Sequence, residues 1–330
     1  MGRRALTAAA ALALLLGGYA AGKFLALDLP CVSFETVEPA WSIAIYAGPD
    51  PLSLAPHPLA AVPALTAKDV TDVEADFVAD PFLIRHESRW HMFFEVLTRA
   101  TGQGDIGYAS SADGIEWSYG GIVLDEPFHL SFPYVFAWEG EIYMVPESHE
   151  ALEVRLYRAA PFPRKWEHVA TLLAGRHFVD CAVLRHAERW WLFAGTHDDR
   201  YDLMDAYFAE RLEGPYRPHP LNPLVRKDPS LGRRGGRTFL HAGRILSYVQ
   251  DCSRRYGERV RVMQFMELTP TSFKAEELPM DPVLGPSGMG WNGEGMHHVD
   301  AHLLPDGTWL AAVDGINGRE RKLRFRLPWK

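Results

Sequence analysis

Residues 77–95, "FVADPFLIRHESRWHMFFE", set Asp80 near the start of one apolar run and Glu95 at the end of another. The runs "PFLI" and "WHMFF" flank the polar turn "RHESR", the pattern of a β-hairpin with a carboxylate at each open end. Acids are depleted in strands, so packing alone does not ask for them there.

The hairpin recurs. Residues 132–147, "FPYVFAWEGEIYMVPE", keep its spacing, with Phe132 in the place of Asp80 and Glu147 in that of Glu95. Residues 180–195, "DCAVLRHAERWWLFAG", keep it again, with Asp first and Gly last. Residues 236–250, "GRTFLHAGRILSYVQ", and 300–314, "DAHLLPDGTWLAAVD", are each one residue shorter. The starts are separated by 52, 48, 56 and 64 residues, and a second pair of strand-like runs follows each of the first four hairpins. Four strands in roughly 50 residues, repeated, is the signature of a propeller blade. The expected fold is therefore all-β: a five-bladed β-propeller with four-stranded antiparallel blades. After Asp314 only "KLRFRLP" remains as a strand for blade five, and "WSIAIYAG", residues 41–48, is expected to supply its outer strand. Such a closure removes an exposed sheet edge. Residues 49–76, rich in proline and alanine, would cross the surface, and the propeller domain would run over 41–330.

The composition agrees. Aromatics make up 12%, with 24 prolines and 28 glycines, which suits many short strands joined by turns. A formal net charge of -8 argues against a nucleic-acid partner, which calls for a basic stripe, and against electrostatic attachment to anionic lipid. At the N-terminus "MGRR" precedes the uncharged "ALTAAAALALLLGGYAAG". Residues 1–30 therefore read as a secretory signal cut after Ala20 or Ala21, or as a membrane anchor if uncut. The expected location is exported, periplasmic or extracellular, or anchored to a membrane. Three cysteines, Cys31, Cys181 and Cys252, form no CxxC, which argues against a structural zinc. A Cys181–Cys252 bridge stays open for an exported chain.

In a propeller the start of each innermost strand and the end of its neighbour meet at one face of the disc. Asp80, Glu95, Glu147, Asp180, Asp300 and Asp314 are thus expected to converge on one funnel, with His197, Asp251, His297 and His298 within a residue or two of the rim. Strand ends also favour Asp as a turn former, but clustered like charges raise pKa values and mark functional sites. Two carboxylates flanking a sugar bond, one as acid and one as base or nucleophile, suit glycoside chemistry. In "GMHHVD" two adjacent histidines of an extended segment point opposite ways, so at most one faces the funnel. Its role would be a hydrogen bond to a sugar hydroxyl or ligation of a metal. No cofactor is expected, although a calcium ion in the channel stays open. Trp291, in "GPSGMGWNGEGMHH", is a candidate for stacking on a sugar, whereas Trp90, Trp190 and Trp309 share one hairpin position and read as inter-blade core. Arg237, in "RRGGR", would face a carboxylate or phosphate, or else lie in a solvated loop. "HDDRYD", residues 197–202, resembles the acidic pair of metal-dependent sugar-nucleotide transferases, but no nucleotide fold surrounds it. No GxSxG, Walker A or HExxH motif occurs.

"ADPFLI", "WHMFFE", "GDIGYASSADGIEW" and "GEIYMVPES" resemble the five-bladed propellers of the arabinanase, β-xylosidase and invertase families. "LSFPYVFAWEGEIYMVPES" and "GMHHVDAHLLPDGTWLAAVDG" are similar to the N-terminal domain of glucosamine inositolphosphorylceramide transferases and its bacterial relatives. The resemblance covers roughly residues 41–315 and implies the propeller fold. The plant proteins carry their transferase domain after the propeller, so sugar-nucleotide transfer is not implied for this segment. The hydrolase pattern starts three blades with acids: a base or nucleophile Asp, an orienting Asp and a Glu acid. Here Asp80 matches the first, Phe132 replaces the second, and Asp180 stands where the Glu would be.

Two functions are expected from this. One is a glycoside hydrolase or transglycosylase with Asp80 as base or nucleophile, Glu147 as general acid and Asp180 holding pKa values or orienting the sugar. Glu95, His197, Arg237, Asp251, Trp291, His297, His298, Asp300 and Asp314 would then line the substrate site. The other is a non-catalytic carbohydrate-binding propeller serving a separate glycosyltransferase in envelope polysaccharide or glycolipid assembly. The partner in either case is a glycan or glycolipid.

Overall fold

The computed structural model describes residues 17–18, 32–196 and 200–325. They divide into two units. In one, Val32–Val37 and Glu320–Phe325 pair as an antiparallel ribbon. The other spans residues 40–318 and consists of sheets with antiparallel strands, apart from one parallel pairing at Gly236–Val299.

Blade one is Ala75–His86, Arg89–Thr98, Gln103–Ser111 and Ser118–Leu124, paired in sequence order. Blade two is Ser131–Trp138, Glu141–Glu147, Glu153–Ala159 and Trp166–Ala174. Blade three is Phe178–His186, Arg189–Thr196 and Leu203–Ala209, with an outer strand split into Arg217–Pro218 and Val225–Arg226. Blade four is Arg233–His241, Arg244–Asp251, Arg259–Leu268 and Phe273–Glu277. Blade five is Val299–Leu303, Trp309–Ile316, Trp41–Asp50 and Ser53–Pro56. Each innermost strand contacts that of the next blade, and that of blade five contacts that of blade one.

Blade five departs from expectation. Trp41–Asp50 is its third strand, not its outermost, because "WSIAIY" is buried on both faces and needs a strand on each side. The short, partly exposed Ser53–Pro56, which ends in proline, takes the edge, as an edge strand should. The described part of the "KLRFRLP" run, up to Phe325, pairs with Val32–Val37 and not with a strand of blade five. Those residues belong to the ribbon, and the compact unit that holds the blades spans residues 40–318.

Turn chemistry explains the hairpin repeat. Glu87–Ser88, Glu139–Gly140, Ala187–Glu188 and Ala242–Gly243 all have positive φ, which makes tight two-residue turns that match strand twist. Asp80, Phe132 and Asp180 also have positive φ, at 53°, 44° and 48°. Each sits in a bulge where the innermost strand carries an extra residue against its neighbour. Gly236 holds the equivalent place in blade four, and a Cβ there would lie 1.9 Å from the carbonyl oxygen of Val299. Such conformations are strained for non-glycine residues and persist only where surrounding bonds hold them.

The core lies between blades. Trp90 packs with Ile43, Ile45 and Leu310, Trp190 with Val135 and Tyr143, and Trp309 with Tyr46 and Tyr248, so all three are buried core. Cys181 and Cys252 are both buried free thiols, so no bridge joins them. Of residues 1–30 only 17 and 18 are described, and the expected signal or anchor lies otherwise outside the described residues. Among the described residues no helix is long and apolar enough to cross a membrane.

Candidate functional site at the channel mouth

The bulges do more than bend strands. At each one the left-handed residue turns its own N–H toward an acid of a neighbouring blade. Asp80 N donates to Asp314 Oδ2 at 3.0 Å, Phe132 N to Asp80 Oδ2 at 3.3 Å, and Asp180 N to Glu147 Oε2 at 2.9 Å. Four acids meet at this mouth with little solvent access: Asp80, Glu95, Glu147 and Asp180.

Their environments differ. Asp80 Oδ1 lies 3.8 Å from His297 Nε2 and 3.7 Å from His298 Nδ1. Burial pushes its pKa up to about 6; His297 opposes this, while Asp314 and Glu147 add to it. Glu95 accepts no hydrogen bond among the described residues and has His129 Nε2 3.4 Å from its Oε1. Burial, then the charges of Asp80, Glu147 and Asp180, hold it protonated well above the usual range. Gly104 makes room for this pair, since a Cβ there would fall 2.8 Å from the His129 ring and 2.9 Å from Glu95 Oε1.

Glu147 behaves in the opposite way. Burial raises its pKa, but the 2.8 Å bond from His149 and the Arg233 guanidinium outweigh that and hold it down at about 2. Asp180 pairs with Arg233 and accepts from Gln250 Nε2 at 3.1 Å. Arg233 itself lies over the adjacent rings of Tyr201 and Tyr256, at 5.3 and 5.1 Å. Burial and the neighbouring Glu147 and Asp80 charges push Asp180 well up, against the pull of Arg233.

His297 Nδ1 is 2.8 Å from the Asp314 carboxylate, and its ring stacks on Trp41 at 3.9 Å. Burial lowers its pKa, but Asp314 and then Asp80 more than reverse this, so the ring is more basic than usual. His298 is fully buried against Phe82 and Phe132, its ring nitrogens have no hydrogen-bond partner among the described residues, and burial takes its pKa down to about 4. It is neutral at physiological pH. Asp80, His297 and Asp314 offer ligand atoms within 4.8 Å of one another. Both Asp314 oxygens, however, already accept N–H groups, from Asp80, His297 and His298, which leaves that set ill-suited to a cation.

The remaining candidates lie elsewhere or serve the scaffold. Asp300 follows no bulge and sits deeper in the channel, accepting from Leu83 N at 2.7 Å and Arg237 Nε at 2.7 Å. Burial opposes ionisation there, but Arg237 and His302 hold the carboxyl far below its usual range. Arg237 also donates to Val135 O at 3.0 Å, so this pair and its partners tie four blades together. Asp251 faces Ser253 and Arg261, away from the mouth. Trp291 packs over Gly315 and edge-on to Tyr46, on blade five. His197 lies outside the described residues. Sequence reasoning missed His129, His149, Arg233 and Gln250. The first three stand in "EPFHLSF", "PESHE" and the start of "RRGGR", each within a few residues of a hairpin end, and Gln250 closes the hairpin of residues 236–250.

Residues 34–316 match the family described as glucosamine inositolphosphorylceramide transferase 1, N-terminal. The chain is 38% identical over 301 residues to glucosamine inositolphosphorylceramide transferase 1 of Oryza sativa subsp. japonica, covering 84% of this chain and 40% of that protein. It is 35% identical over 302 residues to the protein of the same name from Arabidopsis thaliana, covering 85% and 39%. It thus spans about 40% of the length of these relatives. Its fold is similar to Cellvibrio cellulosa α-L-arabinanase complexed with arabinohexaose, with a TM-score of 0.52 at 14% identity, covering 73% of this chain and 96% of that one. It is also similar to the catalytic domain of the Coprinopsis cinerea GH62 α-L-arabinofuranosidase, with a TM-score of 0.53 at 13% identity, covering 83% and 97%. The chain belongs to the glucosamine inositolphosphorylceramide transferase N-terminal family and has the propeller fold of these glycoside hydrolases.

Proposed function

We propose that this family member binds a glycan or glycolipid at the channel mouth and cleaves or transfers a glycosidic bond there. Glu95 is the proton donor and Asp80 the base or nucleophile. The observation that carries this reading is the contrast between the mouth carboxyls. Burial and surrounding negative charge raise Glu95 well above its usual range, burial takes Asp80 up to about 6 with His297 beside it opposing, and His149 and Arg233 hold Glu147 down at about 2. Carboxyls whose environments push their pKa values apart divide acid and base roles between them. The donor role moves to Glu95 from Glu147, because His149 and Arg233 keep Glu147 ionised. The His297–Asp314 pair beside Asp80 would steady its charge, and Asp180, tied to Arg233, would orient the sugar. The protein is proposed to act outside the cytoplasm, exported or anchored through its N-terminal segment.

A recognition role without catalysis, in the service of a separate transferase, is favoured by one observation. Phe132, fully buried, occupies the blade-two position where the hydrolase pattern has an acid. The experiment is a glycan screen for both binding and product release, with Asp80→Asn, Glu95→Gln and Glu147→Gln beside the wild type. Release by the wild type that is lost in Asp80→Asn and Glu95→Gln, with binding retained, supports catalysis. Binding by all four proteins with no release overturns it in favour of recognition. No glycan bound by any of them sinks both readings.

A further inference from the structure

His129 stands in the connection from the outer strand of blade one, which ends at Leu124, to the innermost strand of blade two, which begins at Ser131. The chain there is pinned on both sides of the ring. Leu130 N donates to Gly104 O at 2.8 Å, and His129 N donates to Glu150 Oε2 at 2.8 Å. The imidazole takes a third bond, from Gly104 N to its Nδ1 at 3.0 Å. A backbone N–H can only donate, so Nδ1 accepts and the hydrogen of the neutral ring sits on Nε2. That nitrogen is the one 3.4 Å from Glu95 Oε1. A shift of about 0.5 Å brings this contact to an ordinary N–H···O length.

The surroundings of Glu95 make that donor matter. Asp80 of blade one, Glu147 of blade two, Asp180 of blade three and Asp314 of blade five all act on Glu95 as negative charges, and burial adds to them. Each opposes the loss of its proton, so a proton donor placed here is also reluctant to give. A hydrogen bond to the charged form works the other way. The His129 ring is the group set to make one, and the His149 ring packs against it with centroids 5.8 Å apart.

We propose that His129 is the positioning residue of the proton donor: its Nε2–H, aimed at Oε1, confines the Glu95 hydrogen to Oε2. This rests on the reading above, in which Glu95 gives the proton. The proton passes from Oε2 to the oxygen of the leaving sugar as the bond from that oxygen to the anomeric carbon breaks. The carboxylate left behind is met by Nε2–H, which stabilises its new charge. The attacking water or acceptor hydroxyl supplies one proton for the one that leaves. His129 acts through Glu95 and exchanges no proton with the sugar.

The test uses the full chain beside its His129→Phe and His129→Gln variants. Gln keeps an acceptor for Gly104 N and a donor for Glu95, whereas Phe keeps neither. Nitrogen-15 NMR of the wild-type imidazoles reads the tautomer without any variant. At mildly alkaline pH the hydrogen is expected on His129 Nε2, and hydrogen on Nδ1 overturns the proposal. Carbon-13 titration of the Glu95 carboxyl should then show a midpoint that rises in His129→Phe and returns in His129→Gln. A midpoint unmoved in His129→Phe overturns it as well. With a glycan that the wild type cleaves, His129→Phe should lower kcat about ten-fold or more while KM changes little. The alkaline limb of its pH profile should move up with the Glu95 midpoint, and His129→Gln should restore both. A fall in kcat with an unmoved limb makes His129 merely structural and overturns the proposal. If the wild type releases no sugar while both NMR results are as expected, the mouth reading fails and the hold of His129 on Glu95 stands. If sugar is released equally by the wild type and His129→Phe, the mouth reading stands and this assignment fails.

Discussion

The backbone N–H of Asp80 donates to the Asp314 carboxylate at 3.0 Å, joining blade one to blade five across 234 positions of the chain. The same carboxylate takes the N–H groups of His297 and His298 and the His297 ring. It is a scaffold group that holds the left-handed Asp80 backbone in place and presents the Asp80 side chain to the mouth.

Asp314→Ala should therefore destabilise the propeller by about 3–5 kcal/mol, because it strips partners from several buried donors and from a buried imidazolium. Asp314→Asn should cost less, since its carbonyl oxygen still accepts. Urea unfolding midpoints measure both. A shift for Asp314→Ala no larger than that of an exposed control would contradict this account.

The His297–Asp314 pair sets a pH window. His297 is more basic folded than unfolded, so its contribution is fully present below its ordinary pKa of about 6.5 and fades as pH rises through the folded value. Burial raises the Asp314 pKa, but His297 outweighs it and holds it down, so that contribution is present above about 3.9 and fades as pH falls through the folded value. Imidazole NMR titration should find His297 above 6.5 in the wild type and well below it in Asp314→Asn. An unmoved His297 would show that Asp314 is not its counter-charge.

Glu147 is the clearest test at acid pH. With its pKa held down at about 2, it adds stability above pH 4.5 that is lost as pH falls toward 2. Glu147→Gln should thus melt lower than the wild type at pH 7, and the two melting temperatures should converge toward pH 2. A gap that persists there would mean that Glu147 acts through packing alone.

Gly236→Ala probes the seam between blades four and five. The added methyl would sit 1.9 Å from Val299 O, on backbone that cannot swing aside, at a φ of 140°. The expected cost is about 3 kcal/mol or more, from combined overpacking and strain. Gly140→Ala also has positive φ but meets nothing within 4 Å, so it should cost about 1 kcal/mol. Equal losses in the two variants would remove the close approach as the cause.

Much of this protein can be read without coordinates. Period-two alternation between tight turns marks the hairpins, and their spacing marks the blades, because strand register and turn geometry are local properties. The same spacing brings Asp80, Glu95, Glu147 and Asp180 to one rim. What each acid does there is not local. Asp300 meets Arg237, 63 positions away, and becomes a channel strut rather than a mouth group. Arg233 reaches back 53 positions to Asp180, and His149 holds Glu147 ionised while Glu95, its counterpart in the repeat, is kept protonated. Likewise only the strand pairing reveals that "WSIAIYAG" is an interior strand with Ser53–Pro56 outside it. The repeat specifies where each carboxyl stands along its strand. Tertiary structure alone decides which charges and dipoles surround it once water is gone, and at a buried site those neighbours govern its protonation.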